Sequence, residues 1–178
     1  MTVPPLATGA PRPLAVLVGP PGAGKSTIGR RLARALNVGL VDSDQLIEVA
    51  HGKPCGEVFA ELGEEDFRCE EEKHVAEALS AGGVVSLGGG AVVSPATRDL
   101  LERHTVIWVE VSAEEGVRRT SSNNSRPVLQ SEDPLARYQE LLDQRDEFYR
   151  EVADYRARTD GRSPQQVVGD ILGFLETL

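Results

Sequence analysis

The sequence is poor in features that mark several large classes of protein. Of its 178 residues only two are cysteines, Cys55 and Cys69, and the aromatic fraction is 4%. A chain of this length can bury a core without disulfide bonds, so we expect both thiols to be buried, reduced and cytoplasmic. The longest apolar run covers residues 14–18, far short of the roughly 20 residues that span a bilayer. We therefore expect no membrane partner.

Positive charge is also scarce. The chain has 19 Lys and Arg against 28 Asp and Glu, a formal net charge of −9, which argues against a nucleic-acid partner. Between residues 57 and 77 there are nine acidic residues and two basic ones, so much of the surplus lies in one segment. Because a domain takes roughly 100–200 residues, we assign residues 14–178 to one domain, expected to be a monomer. The proline-rich residues 1–13 are expected to form a flexible tail.

Short apolar runs alternate with amphipathic stretches along the chain. This alternation is typical of parallel strands joined by crossover helices, and it predicts an α/β fold. Helix starts are indicated by capping residues, often followed by proline, at Ser94, Ser112, Asp133 and Ser163. The predicted strands are 14–18, 38–41, 84–87, 105–111 and 155–159. We therefore expect a three-layer sandwich in which a five-stranded parallel sheet is flanked by helices.

A phosphate-binding loop follows the first predicted strand. Residues 19–26 read GPPGAGKS, a complete G-x-x-x-x-G-K-[ST] pattern, and a helical stretch follows. Glycines let backbone N–H groups turn toward a phosphate, and the helix N-terminus favours the same anion. Lys25 is expected to reach the β- and γ-phosphates, and Ser26 to bind the Mg²⁺ that bridges them. The residues assigned to the nucleotide by this motif are Gly22, Ala23, Gly24, Lys25, Ser26 and Thr27.

Two carboxylates follow the second predicted strand. The chain has no Asn-Lys-x-Asp element for guanine and little room for a motor, which favours an ATP-dependent small-molecule kinase. Asp42 is suited to Mg²⁺ and its waters, and Asp44 to a hydrogen bond from the hydroxyl that attacks the γ-phosphate. The alternative is that Ser43 or Asp44 only caps the next helix. Capping and catalysis are compatible.

Two further features indicate a ligand less strongly. Residues 88–90 are three glycines after the third predicted strand, which would allow close approach of a ligand or only form a loose turn. Arg68 lies in the acidic segment with Glu64 and Glu72 four residues away on either side. Taken alone, that spacing favours an ion-paired surface arginine.

The order of these segments resembles one family. GPPGAGKST, VDSD, FRCEE, SLGGGAV, NSRP and LLDQRDEFY occur in the order and approximate spacing of shikimate kinases, and the resemblance covers residues 14–178. It implies a P-loop NTPase fold with a substrate-binding region at about 43–75 and a small lid at about 121–133. It also implies cytoplasmic transfer of the ATP γ-phosphate to the 3-hydroxyl of shikimate, on the route to chorismate.

The resemblance implies roles for the acceptor-binding residues. Asp44 would bind the reacting hydroxyls, and Arg68 and Arg145 would hold the carboxylate of shikimate, which suits the planar fork of arginine. Gly89 and Gly90 would supply backbone donors. The ion-paired reading of Arg68 is thereby replaced by a binding role.

The resemblance also implies roles for three arginines on the nucleotide side. Arg126, followed by Pro127, corresponds to the lid arginine that reaches the transferred phosphate when the lid closes. Arg119 and Arg162 would lie against the adenine. A kinase of another polyol, such as gluconate, and a non-catalytic nucleotide-binding homologue are the alternatives.

The three histidines do not suggest a metal site. His51, His74 and His104 show no zinc-like spacing with the cysteines, so we expect surface imidazoles. The only metal expected is Mg²⁺, carried with ATP.

Overall fold

The sheet of this protein places three loops side by side. The structure, a computed structural model, describes residues 12–121 and 132–178. Within these ranges five strands form one parallel sheet in the order β2-β3-β1-β4-β5. The strands are β1 (Pro13–Val18), β2 (Leu40–Asp42), β3 (Gly83–Ser86), β4 (Val106–Glu110) and β5 (Tyr155–Arg158). All five predicted strands are confirmed, with ends displaced by no more than about two residues.

Helices connect these strands and cover both faces of the sheet. The helices within the described ranges are α1 (Lys25–Leu36), α2 (Ser43–His51), α3 (Cys55–Leu79), α4 (Pro95–Leu101), α5 (Ala113–Thr120), α6 (Pro134–Val152) and α7 (Pro164–Leu175), with a short 3-10 turn at Ala91–Val93. The capping predictions are confirmed, because the side chains of Ser94, Ser112, Asp133 and Ser163 each accept a backbone hydrogen bond from the first turn of the following helix. No helix in this part of the chain is both long enough and apolar enough to cross a membrane.

Both faces of the sheet are buried, as a parallel sheet requires. Along β1, Ala15 and Leu17 belong to one core cluster and Val16 and Val18 to the other. Helices α1 and α7 pack on the first face, whereas α3 and α4 pack on the second. The predicted three-layer sandwich is confirmed.

The parallel arrangement also fixes where a ligand can bind. The carboxyl ends of parallel strands meet at one edge of the sheet, where open α/β folds bind their ligands. β1 ends before the loop 19–24, β2 ends at Asp42, and β3 ends before the three glycines 88–90. Since β3 lies between β2 and β1, these loops are neighbours in space.

Helix α3 is interrupted at Gly63. Its φ of 80° lies in the left-handed region that favours glycine, so the helix divides into a segment before Gly63 and a longer one after it. The longer segment carries Arg68 and reaches the sheet edge beside residues 88–90.

Candidate active site

The loop 19–24 has the backbone shape expected of a phosphate-binding loop. Gly22 and Gly24 have φ values of 82° and 99°, which other residues adopt only with strain. A Cβ on Gly22 would lie 2.7 Å from Cγ2 of Thr120, so the loop also packs closely against α5. The loop ends at Lys25, where α1 begins and turns its N-terminus toward any anion held there.

The Lys25 side chain folds back over this loop. Its Nζ donates to the carbonyl oxygens of Gly19 at 2.6 Å and Pro20 at 3.0 Å. These bonds hold the ammonium group over the mouth of the loop. A phosphate bound there would therefore meet a positive charge that is already in place.

A cavity of about 490 Å³ lies on the α7 side of the loop, and both arginines expected near the adenine line it. Arg119 donates to the carbonyls of Gly22 at 3.2 Å and Ala23 at 3.3 Å, and to Oγ1 of Thr159 at 3.0 Å. Arg162 is ion-paired with Asp170 of α7. Arg119 is therefore tied to the loop itself, whereas Arg162 is tied to the neighbouring helix.

A second cavity, of about 300 Å³, joins the nucleotide loop to the other predicted site residues. Its lining includes Gly22, Gly24, Lys25, Ser26, Thr27, Asp42, Asp44 and Gly89. The structure thus brings the phosphate-binding residues and both predicted carboxylates around one space. This is the arrangement that transfer between two bound molecules needs, because donor and acceptor must lie close together.

The residue that caps α2 is neither of the two that the sequence suggested. Asp42 is the N-cap, and its Oδ1 accepts a hydrogen bond of 2.8 Å from the backbone N–H of Asp44. The expectation that Ser43 or Asp44 caps the helix is wrong, because Ser43 is buried and accepts a 3.0 Å bond from the N–H of Gly88. That bond joins the loops after β2 and β3. Asp44 is left on the first turn of α2, beside the second cavity.

Arg68 has a different partner from the two that its spacing suggested. Its Nη1 donates to Oε1 of Glu71 at 2.6 Å, and the side chain of Glu71 is only 4% exposed. Glu72 instead accepts a bond from Ser94. Arg68 is therefore an inward-facing arginine held by a buried carboxylate, and the surface ion pairs with Glu64 and Glu72, which its spacing alone suggested, are not the ones it forms. Sequence reasoning missed Glu71, whose only local signal is its position three residues after Arg68.

Burial also changes the chemistry of Glu71. Desolvation raises the pKa of this carboxyl, while the charge and hydrogen bond of Arg68 and the charge of Arg145 oppose the rise. Within the described residues, Nε of Arg68 is buried and has no hydrogen-bond partner.

The three glycines 88–90 provide a surface on which these side chains lie. A Cβ on Gly88 would overlap the carboxylate of Asp44, and one on Gly90 would lie 2.6 Å from Cζ of Arg68. Glycine at these positions lets Asp44 and Arg68 approach the backbone. The interpretation of residues 88–90 as a merely loose turn does not account for these contacts.

Arg145 lies on α6, opposite α3. It is close enough to Glu71 for its charge to affect that carboxyl, and it interacts with the hydroxyl of Tyr149. The structure therefore brings the two arginines predicted to hold a carboxylate to the same buried cluster. Arg126, in contrast, lies outside the described residues, as do residues 1–11 of the predicted tail and 122–131 of the predicted lid.

The cysteines and histidines differ in part from expectation. Both thiols are free, but Cys69 is exposed rather than buried. Cys55 is half-buried, and desolvation together with the negative charge of Asp44 raises the pKa of its thiol. All three histidines are half-buried, and His51 and His74 both contact the carboxylate of Glu70, so the expectation of surface imidazoles is wrong.

Chemistry and fold together define a class of protein. A phosphate-binding loop between β1 and α1, with carboxylates at the end of β2 on the same edge of the sheet, is typical of P-loop kinases that phosphorylate small molecules. In the described part of the chain, no group of three or more His, Cys, Asp or Glu side chains could hold a metal ion by itself.

Comparison with known proteins identifies the family. The family model for shikimate kinase matches residues 21–176, so the chain belongs to the shikimate kinase family. A shikimate kinase from Corynebacterium diphtheriae is 65% identical over 171 residues, covering 96% of this chain and 99% of that protein. One from Corynebacterium efficiens is 63% identical over 165 residues, covering 93% and 98%.

A solved structure agrees with this assignment. Shikimate kinase from Acinetobacter baumannii, in complex with shikimate, has a TM-score of 0.86 and 36% identity, and the match covers 92% of each chain. Membership of this family indicates an ATP-dependent kinase with small-molecule substrates and a divalent metal ion.

Proposed function

We propose that this protein transfers the γ-phosphate of ATP to the 3-hydroxyl of shikimate. The observation that carries the proposal is the 300 Å³ cavity, which is lined by Lys25 and Ser26 of the nucleotide loop and by Asp44 and Gly89 beyond it. Shikimate is a ring with hydroxyl groups and one carboxylate. The site offers a carboxylate for the hydroxyls and, nearby, arginines for the carboxylate.

The nucleotide loop would hold the phosphates mainly through its backbone. Gly22, Ala23 and Gly24 would present N–H groups, and Thr27 would assist from the first turn of α1. Lys25 would exchange the carbonyls of its own loop for phosphate oxygens. Its charge would then stabilise the negative charge that develops on the transferred group.

A hydroxyl and a carboxylate form a donor set that suits Mg²⁺, which prefers oxygen ligands and retains several waters. Ser26 would bind the ion directly, and Asp42, one of whose oxygens already caps α2, would hold it or its waters. The ion neutralises phosphate charge during transfer. Both residues line the same cavity, which supports this assignment.

The acceptor would be oriented from three directions. Asp44 would accept a hydrogen bond from the reacting hydroxyl and direct its oxygen toward the γ-phosphorus. Arg68 and Arg145 would bind the carboxylate, and Gly89 and Gly90 would offer backbone N–H groups from the loop after β3. Because Arg68 is held by Glu71, much of its ordering would precede substrate binding.

The remaining nucleotide contacts would come from Arg119 and Arg162, which line the 490 Å³ cavity where the adenine would lie. Arg126 is proposed as the lid arginine that stabilises the transferred phosphate. We also propose that the enzyme acts as a cytoplasmic monomer. The two free cysteines suit a reducing compartment.

A coupled assay of ADP release tests the proposed reaction. Release should depend on shikimate, and gluconate or the absence of an acceptor should give only background turnover. The dependence should also require Mg²⁺ and should be abolished by a chelator. Equal turnover with gluconate, or none with shikimate, would overturn the proposal.

Replacement of the acceptor carboxylate tests the role of Asp44. Asp44→Asn should lower kcat by about 100-fold, since it removes the charge that orients the hydroxyl, and should leave the KM for ATP within about twofold. Asp66→Asn is the matched control, because Asp66 is an exposed carboxylate on α3. Activity of Asp44→Asn equal to that of the control would remove Asp44 from the reaction.

A further inference from the structure

Helix α6 carries two tyrosines that are completely buried. Tyr138 and Tyr149 are both 0% exposed. They are separated by about three helical turns and therefore lie on the same side of α6. A phenolic hydroxyl buried in this way needs a hydrogen-bond partner, so the identity of each partner is informative.

Each hydroxyl donates to a backbone carbonyl in a different loop of the site. Tyr138 donates to the carbonyl oxygen of Pro21, in the middle of the phosphate-binding loop. Tyr149 donates to the carbonyl oxygen of Gly89 at 2.6 Å, in the loop proposed to bind the acceptor. One helix is thus bonded to both substrate loops, although neither loop is near it in sequence.

The two bonded residues are themselves in contact. A Cβ added to Gly89 would lie 3.0 Å from Cδ and 3.3 Å from the backbone nitrogen of Pro21. The loops therefore meet at the two residues whose carbonyls the tyrosines bind. A shift of either loop would change the separation of the nucleotide and the acceptor.

Both rings are fixed by their surroundings. Tyr138 belongs to the core cluster on one face of the sheet and packs against Gly116, where a Cβ would lie 2.6 Å from Cε1 of the ring. Tyr149 belongs to the cluster on the other face and packs against Trp108, with ring centroids 5.7 Å apart. Each hydroxyl is therefore presented from a rigid core rather than from a mobile side chain.

The Tyr149 hydroxyl also keeps its proton across the physiological range. Burial raises the pKa of Tyr149 to about 12, although the hydrogen bond and charge of the neighbouring Arg145 oppose that rise. Arg145 is one helical turn before Tyr149 on α6. The hydroxyl can thus accept from Arg145 while it donates to Gly89.

We propose that Tyr138 and Tyr149 are positioning residues that hold the nucleotide loop and the acceptor loop in a fixed relation. This inference rests on the proposed shikimate kinase function. Neither tyrosine touches the reacting atoms. Each acts through the backbone carbonyl that it binds, Tyr138 on the loop for the nucleotide and Tyr149 on the loop for the acceptor.

Three tyrosine-to-phenylalanine variants test the proposal, because each removes one oxygen and keeps the ring. Tyr149→Phe should raise the KM for shikimate about tenfold, the effect of losing one buried hydrogen bond, and leave the KM for ATP within about twofold. Tyr138→Phe should instead raise the KM for ATP about tenfold and leave the KM for shikimate within about twofold. Tyr155→Phe is the control, since the half-buried Tyr155 stacks on Phe174 away from the site and should change neither KM.

Two binding measurements separate this inference from the proposed function. Trp108 is the single tryptophan of the chain and adjoins Tyr149, so its fluorescence can report shikimate binding without turnover, while calorimetry gives ADP affinity. Weaker shikimate binding only in Tyr149→Phe and weaker ADP binding only in Tyr138→Phe would support the positioning roles. Parallel losses for both ligands, or lower thermal midpoints with unchanged binding, would overturn them.

The same measurements remain decisive if the wild-type protein neither binds nor phosphorylates shikimate. In that case the proposed function fails on the wild-type result alone. ADP affinity then tests the role of Tyr138 independently. A selective loss in Tyr138→Phe would retain its role at the nucleotide loop, and equal affinity in Tyr138→Phe and Tyr149→Phe would remove it.

Discussion

The two sides of the site are built by different means. On the nucleotide side, defined as residues 19–27, the loop takes its shape from near neighbours, as Lys25 bonds the carbonyls of Gly19 and Pro20, while Arg119 and Tyr138 hold its backbone carbonyls from outside. On the acceptor side, defined as Asp44, Arg68, Glu71 and residues 88–90, the Arg68–Glu71 pair is local, but the glycines meet Asp44 and Arg68 from distant segments. Backbone shape therefore forms the first side, and tertiary packing of side chains forms the second.

This difference extends to electrostatics. The acceptor side contains a buried carboxyl, Glu71, whose pKa is raised by desolvation. Glu115 of α5 lines the 490 Å³ cavity beside the nucleotide side, and its pKa is lowered to about 2 by hydrogen bonds and charges from Arg118 and Arg119. The acceptor side should therefore be the more sensitive of the two to small changes in packing, because a buried charged group depends strongly on its partners.

Among the substitutions that probe this contrast, Gly90→Ala should produce the largest effect, and only on the acceptor side. Its Cβ would lie 2.6 Å from Cζ of Arg68, whose guanidinium cannot withdraw freely because Glu71 holds it. We expect the KM for shikimate to rise about 30-fold, the effect of losing a hydrogen bond to a charged group, with the KM for ATP within about twofold. Steady-state kinetics with each substrate varied in turn would measure this.

Gly169→Ala is the control for that substitution. Gly169 is an exposed glycine in α7, and a Cβ there meets nothing within 4 Å. This variant should keep wild-type kinetics, and it should be slightly more stable because alanine favours a helix. A comparable rise in both KM values for Gly90→Ala would contradict the division of the site into two independently built sides.

The contrast also explains what the sequence could predict. The G-x-x-x-x-G-K-[ST] pattern and the alternation of apolar runs are local, so the phosphate-binding loop, the α/β class and all five strands were predictable from them. Helix caps are local as well, and four of the predicted ones are confirmed. The cap of α2 was predicted wrongly because Asp42, Ser43 and Asp44 are all good capping residues.

The contacts on the acceptor side were harder to predict from local sequence patterns. Spacing suggested Glu64 and Glu72 as partners for Arg68, because residues four apart lie on one helix face. In the structure Arg68 pairs instead with the buried Glu71, three positions further along the chain. The bond between Ser43 and Gly88 joins residues 45 positions apart, which no local pattern indicates. Only the resemblance to a family assigned Arg68 and Arg145 to a ligand before the structure placed them together.

Arg119→Ala should have a smaller effect, on the nucleotide side. Arg119 bonds the carbonyls of Gly22 and Ala23, so its loss should loosen the loop and raise the KM for ATP about tenfold. The adjacent Arg118 is the matched control for charge, because it lines the same 490 Å³ cavity but its side chain is 73% exposed and pairs only with Glu115 among the contacts described. Equal effects of Arg118→Ala and Arg119→Ala would show that charge near the site, rather than the bonds to the loop, determines ATP binding.

The smallest predicted effect concerns the pH dependence of stability, to which Glu71 and Glu115 should contribute with opposite signs. Because folding raises the pKa of Glu71 above its usual 4.5, its contribution to stability is fully present below pH 4.5 and is lost as pH rises through the raised value. Glu115, with its pKa lowered to about 2, contributes stability above pH 4.5 that is lost as pH falls toward 2.

Urea denaturation of Glu71→Gln and Glu115→Gln between about pH 3 and 8 would measure both contributions, because glutamine does not titrate. Relative to wild type, Glu71→Gln should gain stability as pH rises above 4.5, since it lacks a buried group that must ionise. Glu115→Gln should instead be less stable than wild type at neutral pH and approach it as pH falls. If the stability difference from wild type changed with pH in the same direction for both variants, the environments of the two carboxyls would be more alike than their positions on the acceptor and nucleotide sides indicate.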